Sequence, residues 1–555
     1  MKIEVDTIYT EPRSSSTIIA SGTTRGNKKS KTNIKYFPQN INYQLSTINY
    51  QLSTIKIKPT SIQPSEIIKF KMKNDITFKE LKNSGYLDKT INEEIQANLI
   101  AKIKAKEPVF EGLWGYEDSV VPQLKKAILA GHHINLLGLR GQAKTRIARS
   151  MVSLLDEYMP IVKGSEINDS PFHPISKYSR DLIVELGDET PISWVHRSNR
   201  FFEKLATPDV NVADLIGDID PIKAATLKLP YSDERVLHYG MIPRANRSIF
   251  VLNELPDLQA RIQVSLFNIL QEGDIQIRGF QLRMPLDIQF VFTANPEDYT
   301  NRGSIVTPLK DRIGSQIFTH YPKTIALARQ ITEQEAAIST QDKSQIQIPS
   351  LAKDLLEQVA FIARDSEYVD AKSGVSARLT ISAMENLVAA AKLRLIESDA
   401  EKTTVRLLDF MSIIPSITGK IELVYEGEQE GADYVAKILI DKAVMIQFEN
   451  LFPRISKLEK DGIKNPYTDL IKWFNKNHLE LNYSDTNEEF YGKLNSIKPL
   501  VEVVEENTSE LSIEDQNFCK ELVLWALTIS KKLDKAENQN TFTFDSTGIG
   551  QFLRN

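Results

Sequence analysis

A chain of 555 residues is long enough for about three or four domains. With 41% hydrophobic and 25% charged residues its composition is that of a globular protein, which excludes bulk disorder and the fibrous and disulfide-scaffold classes. No apolar stretch approaches the ~20 residues of a membrane-spanning helix. Cys519 has no partner for an internal disulfide, and a net charge of −5 offers duplex nucleic acid no global basic footprint.

The charge is unevenly spread. Residues 1–71 carry eleven lysines and arginines against four acids, so this leading segment is at +7 and the remaining 484 residues at −12. The segment is rich in Ser, Thr, Asn and Ile and lacks helical periodicity. It contains one tandem copy, Ile41–Thr47 repeated as Ile48–Thr54, too short for a solenoid. Three readings compete: a transit peptide, against which Glu4, Asp6 and Glu11 argue; a basic interaction tail; and sequence upstream of a true start at Met72. The last is preferred, with residues 1–71 a disordered basic segment outside the folded unit.

From Met72 to residue 107 the spacing of Leu81, Leu87, Ile91, Ile95, Leu99 and Ile103 predicts helix, interrupted near Gly85. Residues 108–330 alternate helical stretches with the buried β-type runs His133–Gly138, Ser248–Leu252 and Ile288–Thr293. That pattern predicts an α/β domain, a parallel sheet with helices on both faces. From 331 to 425 the strand signal fades into a helical lid, with Leu351, Leu355, Val359 and Ile362 on one face and a second helix over Leu379–Ile396. Residues 426–555 predict an all-α C-terminal domain. Its helices are Ala432–Leu451 and one from about Ser512, where Ser512 and Asp515 suggest a capping box and Phe518, Leu522, Trp525 and Ile529 a buried stripe. Cys519 falls within that stripe and reads as a buried structural thiol.

The chemistry concentrates in the α/β segment. Ile134–Leu137 runs into Gly138-Leu139-Arg140-Gly141-Gln142-Ala143-Lys144-Thr145 and then into helix. Loop amides and a helix N-terminus suit a polyanionic phosphate. Lys144 is placed to reach β/γ oxygens and Thr145 to ligate Mg²⁺. Ala143 stands where such loops carry glycine, which is tolerable if that residue has helical φ. About a hundred residues on, Ser248–Leu252 ends in Asn253-Glu254. Glu254 is a candidate general base, and Asn253 keeps a carbonyl facing the metal but not the formal charge. Gln289–Phe292 ends in Thr293-Ala294-Asn295-Pro296, where Asn295 is a candidate to orient the attacking water. Leu309-Lys310-Asp311-Arg312-Ile313-Gly314 follows; an arginine so placed at a subunit boundary can stabilise charge in a neighbouring site. Arg378, in Ser376-Ala377-Arg378-Leu379, opens a helix from which it closes over the phosphates.

This ordered set resembles the AAA+ ATPases and, within them, the branch of the MoxR proteins and the ATPase subunit of magnesium chelatase. Gly-Gln-Ala-Lys-Thr resembles the MoxR form of the loop. Gly112–Glu117 is similar to the family's adenine-side segment, and Gln276–Met284, broken by Gly279, resembles its inserted β-hairpin. The resemblance covers about residues 108–400 and implies a P-loop AAA+ αβα sandwich using ATP and Mg²⁺ in an oligomeric ring, commonly a hexamer. It implies Arg312 as an arginine finger acting in trans, Asn295 as sensor 1 and Arg378 as sensor 2, with Arg302 a second candidate for the trans arginine. It further implies a partner with a von Willebrand A-type domain.

The expected function is therefore that of a cytoplasmic ATP-hydrolysing motor that remodels or activates a partner protein, without membrane insertion or direct nucleic-acid contact. Two alternatives stand beside it: the motor subunit of a metal chelatase acting on a tetrapyrrole, and a nucleotide-gated scaffold with little hydrolysis, which Asn253 would permit. A transcriptional activator is less favoured, for want of a helix-turn-helix. Glu422, Glu426, Glu428 and Glu430 read as a solvated acidic loop, His132-His133 lacks further ligands at zinc spacing, and His196, His238 and His320 read as structural rather than catalytic.

Overall fold

The computed structural model describes residues 75–277, 283–296, 304–455, 465–537 and 541–546. The leading segment with its repeat, Met72, Gly279 and Arg302 lie outside the described residues.

Five strands form the central sheet: β1 (Ile134–Leu137), β2 (Phe201–Leu205), β3 (Ser248–Asn253), β4 (Ile288–Ala294) and β5 (Ser315–Phe318). Their order is β5-β1-β4-β3-β2 and every pairing is parallel. The three central strands are buried along their whole length, as continuous apolar runs between two helical layers must be. These are the three runs expected from the sequence. The edge strands β2 and β5 carry half-exposed polar residues, so their apolar signal is diluted and they escape detection.

Helix α1 (Ile91–Ala105) starts at the N-cap Thr90, whose capping box with Glu93 halts the helix that the apolar spacing carries back to residue 76. Among the described residues, those ahead of it form a two-residue strand, Ile76–Thr77, and a short helix, Phe78–Asn83. Leu87, expected on the apolar face, is 75% exposed. Helix α1 is tied to the sheet by a buried ion pair. Arg200, just before β2, donates from both terminal nitrogens to the Glu94 carboxylate at 2.6 Å and from Nε to the Arg247 carbonyl at 3.0 Å. Helices α2 (Val120–Leu129), α3 (Lys144–Ser150) and α4 (Thr307–Arg312) are among those of the α/β part. Asp274–Gln276 pairs antiparallel with Arg283–Pro285, as the expected hairpin requires.

Helices α5 (Ile325–Glu335), α6 (Ser350–Arg364) and α7 (Arg378–Glu397) form the lid. Helices α8 (Ala432–Leu451) and α9 (Ile513–Ile529) follow. Lid and C-terminal helices share one buried cluster running from Ala336 to Phe544, so no gap in the core marks the expected boundary at 425. The C-terminal region is helical but not all-α. Strands β6 (Leu479–Asn482), β7 (Leu533–Glu537) and β8 (Thr541–Ser546) make an antiparallel sheet in the order β6-β8-β7. Phe542 and Phe544 alternate inward along β8, and Phe542 packs beside Trp525. Ser512 does cap α9 by accepting the Asp515 N–H at 3.1 Å. The reciprocal half of a capping box is replaced, because Asp515 Oδ1 accepts the Leu351 N–H at 2.9 Å. Cys519 is fully buried, as expected, and burial pushes its thiol up to about 12.

Within this core Glu521 of α9 lies beside Arg394, Arg406 and Asp409, with Oε2 accepting the Leu408 N–H. Burial pushes its carboxyl from 4.5 up to about 8. The native state therefore keeps a proton that the unfolded chain loses between those values, and stability falls as pH rises through that window. Glu521→Gln should flatten the slope, giving a variant more stable than the parent at pH 8 by an amount that shrinks toward pH 5. Urea midpoints at pH 5, 6.5 and 8 check this.

Candidate functional site

The central strands end together at their C-terminal edge, and there a cleft of about 1350 Å³ opens between the sheet and the lid. Gly141, Gln142, Ala143, Lys144, Thr145, Glu254, Asn295 and Arg378 line it, so most of the sequence-derived candidates meet in one place. Gly138 lies at its edge, where its carbonyl accepts from Lys144.

The loop after β1 is shaped by close approaches. Gly141 has φ +70°, and a Cβ there would sit 2.2 Å from Ser376 Oγ and 2.7 Å from the Ala377 N–H nitrogen, so only glycine lets the lid come this near. Ala143 departs from expectation. Its φ of 54° and ψ of 19° are left-handed, not helical, so the alanine holds a conformation natural to glycine at a cost of about 1–2 kcal/mol. Glu254, at φ 55° and ψ 49°, is left-handed as well. Two such residues facing one cleft mark a place where the surrounding structure imposes strain.

A hydrogen-bonded chain crosses the floor. The Lys144 ammonium donates to the Gly138 and Leu139 carbonyls and to Asn295 Oδ1. Asn295 Nδ2 in turn donates to Glu254 Oε2 at 2.9 Å. The Glu254 N–H donates to Thr293 Oγ1 at 3.1 Å, and the Thr293 hydroxyl donates to Asn253 Oδ1 at 3.1 Å. One amide thus links the loop lysine to the carboxylate at the end of the neighbouring strand.

Gly112–Tyr116 closes one side of the cleft. Tyr116, raised above the usual phenol range by burial, donates to the Gln142 carbonyl at 2.8 Å and the His320 carbonyl at 2.9 Å. Trp114 Nε1 donates to Gln334 Oε1 at 2.6 Å, and Gln334 Nε2 reaches back to the Gly112 carbonyl at 3.2 Å. Gln334 was not legible in the sequence, since a glutamine near a helix end carries no signal of its own.

Across the mouth, Arg140 pairs with Glu422, whose other oxygen accepts from the Ser373 hydroxyl. Ser373 and Arg140 hold the Glu422 carboxyl below its ordinary range. The acidic stretch is therefore not merely a solvated loop: Glu422 fastens the lid to the phosphate loop, and Tyr425–Glu430 forms a short helix.

Arg312 is not brought to this cleft. Its Nε donates to Gln271 Oε1 at 3.0 Å, its Nη1 to the Pro308 carbonyl at 2.7 Å, and its guanidinium lies 5.1 Å from the Phe267 ring. His133 is half-buried, accepts the Phe290 N–H at 3.3 Å and is held down to about 4 by desolvation. Among the described residues no group of three or more His, Cys, Asp or Glu side chains could hold a metal ion by itself. The Thr145 hydroxyl and the Glu254 carboxylate, which line the cleft, nevertheless suit a hard cation such as Mg²⁺ that arrives with phosphate oxygens. Asn253 is buried at the end of β3, does not line the cleft and uses its carbonyl to accept the Thr293 hydroxyl.

The family described as the Sigma-54 interaction domain matches residues 230–313, which hold β3, Glu254, Asn295 and Arg312 but not the phosphate loop. The chain is 24% identical over 198 residues to the magnesium-chelatase 38 kDa subunit of Cereibacter sphaeroides, covering 34% of this chain and 52% of that protein. It is 23% identical over 220 residues to the subunit of the same name from Rhodobacter capsulatus, covering 39% and 57%. The chain thus spans just over half the length of the curated relatives it matches. Among solved structures it is similar to the BchI–BchD complex of magnesium chelatase (16% identity, 58% of this chain and 98% of that one, TM-score 0.31). It is also similar to NtrX from Brucella abortus in complex with ADP (14% identity, 77% and 78%, TM-score 0.34). The parallel strand order, the loop between β1 and α3 and the similarity in sequence together support an AAA+ ATPase fold and make the chain similar to the magnesium-chelatase 38 kDa subunits.

Proposed function

We propose that the chain binds and hydrolyses ATP as the motor of an oligomeric ring, most simply a hexamer, and uses the cycle to remodel or activate a partner protein. The observation that carries this reading is the Lys144–Asn295–Glu254 chain on the floor of a cleft shared by sheet and lid.

In this reading the amides of Gly141–Thr145 cradle the phosphates, and Lys144 leaves Asn295 for the β/γ oxygens. Freed of the lysine, Asn295 keeps its bond to Glu254 and helps place the water from which Glu254 takes a proton. Thr145 and Asn253 would stand on the metal side of the site, and Mg²⁺ when bound would supply positive charge against the phosphates. Arg378, on the lid, closes over them. Arg312, held on the outside of its own domain, completes a neighbour's site.

A partner with a von Willebrand A-type domain rests on the resemblance to the family. The chelatase alternative rests on the similarity in sequence to magnesium-chelatase 38 kDa subunits. A cytoplasmic setting belongs to the same proposal, and no helix among the described residues is long and apolar enough to cross a membrane.

Because Arg312 lies away from its own cleft, turnover should need neighbours. ATPase per subunit should rise with protein concentration, and Arg312→Ala should lower it on the order of 10³-fold while leaving ATP binding intact. Steady-state phosphate release across a dilution series, beside sedimentation, checks both. Turnover independent of concentration and untouched by Arg312→Ala would remove the shared-site reading.

A further inference from the structure

Asn253 ends β3 next to Glu254 of the cleft, and both ends of its amide are engaged. Oδ1 accepts the Thr293 hydroxyl at 3.1 Å, and Nδ2 donates to Glu203 Oε1 at 2.7 Å. Glu203 lies on the edge strand β2, two residues before Leu205, the cross-strand partner of Asn253. Its side chain is 24% exposed and lines the same cleft as Thr145 and Glu254. Its second oxygen, Oε2, accepts from Arg149 Nε at 3.1 Å and Nη2 at 2.7 Å. Arg149 belongs to α3, the helix that opens with Lys144 and Thr145.

A carboxylate is thus clamped from two sides, by the amide at the end of β3 and by the helix of the phosphate loop. An ion pair made only to hold Arg149 would not require the Asn253 amide to turn its nitrogen toward Glu203. That orientation couples the charged group on one strand to the polar position on the next.

We propose that Glu203 supplies the negative charge on the Mg²⁺ side of the nucleotide site, and that Asn253 is a positioning residue that holds it there. The inference rests on the reading of the cleft as an ATP site. The donors that line the cleft here, the Thr145 hydroxyl and the Glu203 and Glu254 carboxylates, are all oxygens, as a hard divalent cation requires. Mg²⁺ keeps several of its waters when protein-bound, so a carboxylate beside the site acts by accepting from those waters without direct ligation.

The test is binding of a fluorescent ATP analogue to the full chain, titrated in EDTA and across a range of Mg²⁺ concentrations. It compares the parent, Glu203→Gln, Asn253→Asp and the double variant, with thermal melts confirming that each is folded. For Glu203→Gln the Mg²⁺ concentration giving half-maximal enhancement of binding should rise roughly tenfold, while affinity in EDTA is unchanged or higher because a like charge near the phosphates is gone. Adding Asn253→Asp in the Glu203→Gln background should restore the Mg²⁺ response by returning the charge to β3. If Glu203→Gln binds nucleotide with the same Mg²⁺ dependence as the parent, Glu203 is only an anchor for Arg149 and the proposal falls while the ATP-site reading stands. If the parent binds no nucleotide at any Mg²⁺ concentration, both fall together.

Discussion

Glu254→Gln should abolish steady-state ATP hydrolysis, a loss of about 10²–10⁴-fold, and leave ATP binding within a few-fold of the parent. The isosteric amide keeps the size and polarity of the side chain and can still meet Asn295 through its oxygen, so the floor of the cleft should keep its shape. What it lacks is the basic oxygen that accepts a proton. Glu254 is suited to the role because β3 delivers it, in left-handed conformation, into the cleft, while Asn295 Nδ2 fixes its Oε2 at 2.9 Å. Parallel measurements of phosphate release and of nucleotide affinity check the split between binding and turnover. Equal turnover in the variant and the parent, both assembled, would mean that Glu254 is not the base. A chain that binds ATP without turning it over in either form would favour the nucleotide-gated scaffold that Asn253 makes conceivable.

The second large effect is expected far from the chemistry. Arg200→Ala should destabilise the α/β part by about 3–5 kcal/mol, because it strands the Glu94 carboxylate in a buried position. Arg200 is 1% exposed and makes a two-pronged pair with Glu94, which also accepts the Asp156 N–H at 2.6 Å. The same arginine donates to the Arg247 carbonyl, so a single side chain joins α1, the entrance to β2 and the entrance to β3. Replacing both partners, as Arg200→Met with Glu94→Leu, should recover much of the loss, since no unpaired charge is then buried. Denaturant midpoints of the two variants against the parent check the prediction. Equal destabilisation by the single and double replacements would mean that packing, not charge, is what Arg200 contributes.

What the sequence by itself determined is local. A buried apolar run ending in polar residues specifies a strand and the tip that it presents, so β1, β3 and β4 were legible together with Lys144, Asn253, Glu254 and Asn295 at their ends. The resemblance added the expectation that these tips form one site, and their meeting in the cleft agrees with it. Ala432–Leu451 was legible to the residue for a similar reason, an uninterrupted helical pattern bounded by Gly431.

Tertiary structure decided the rest. The edge strand β2 has no continuous apolar run, so neither it nor Glu203 announces itself; only the strand order places that carboxylate beside Asn253. Trp114 and Gln334 stand 220 residues apart, and Arg140 and Glu422 stand 282 apart, separations at which no spacing rule operates. Ala143 gives the clearest contrast between the two levels. Its identity suggested a residue at ease in helix, but in the folded loop it stands in the left-handed region, two residues after Gly141 meets Ser376 and Ala377. Periodicity reports which side of an element is buried, because that depends on neighbours along the chain. Which polar groups meet, and which residues must bear strain, depends on how the elements pack, and no single segment carries that information.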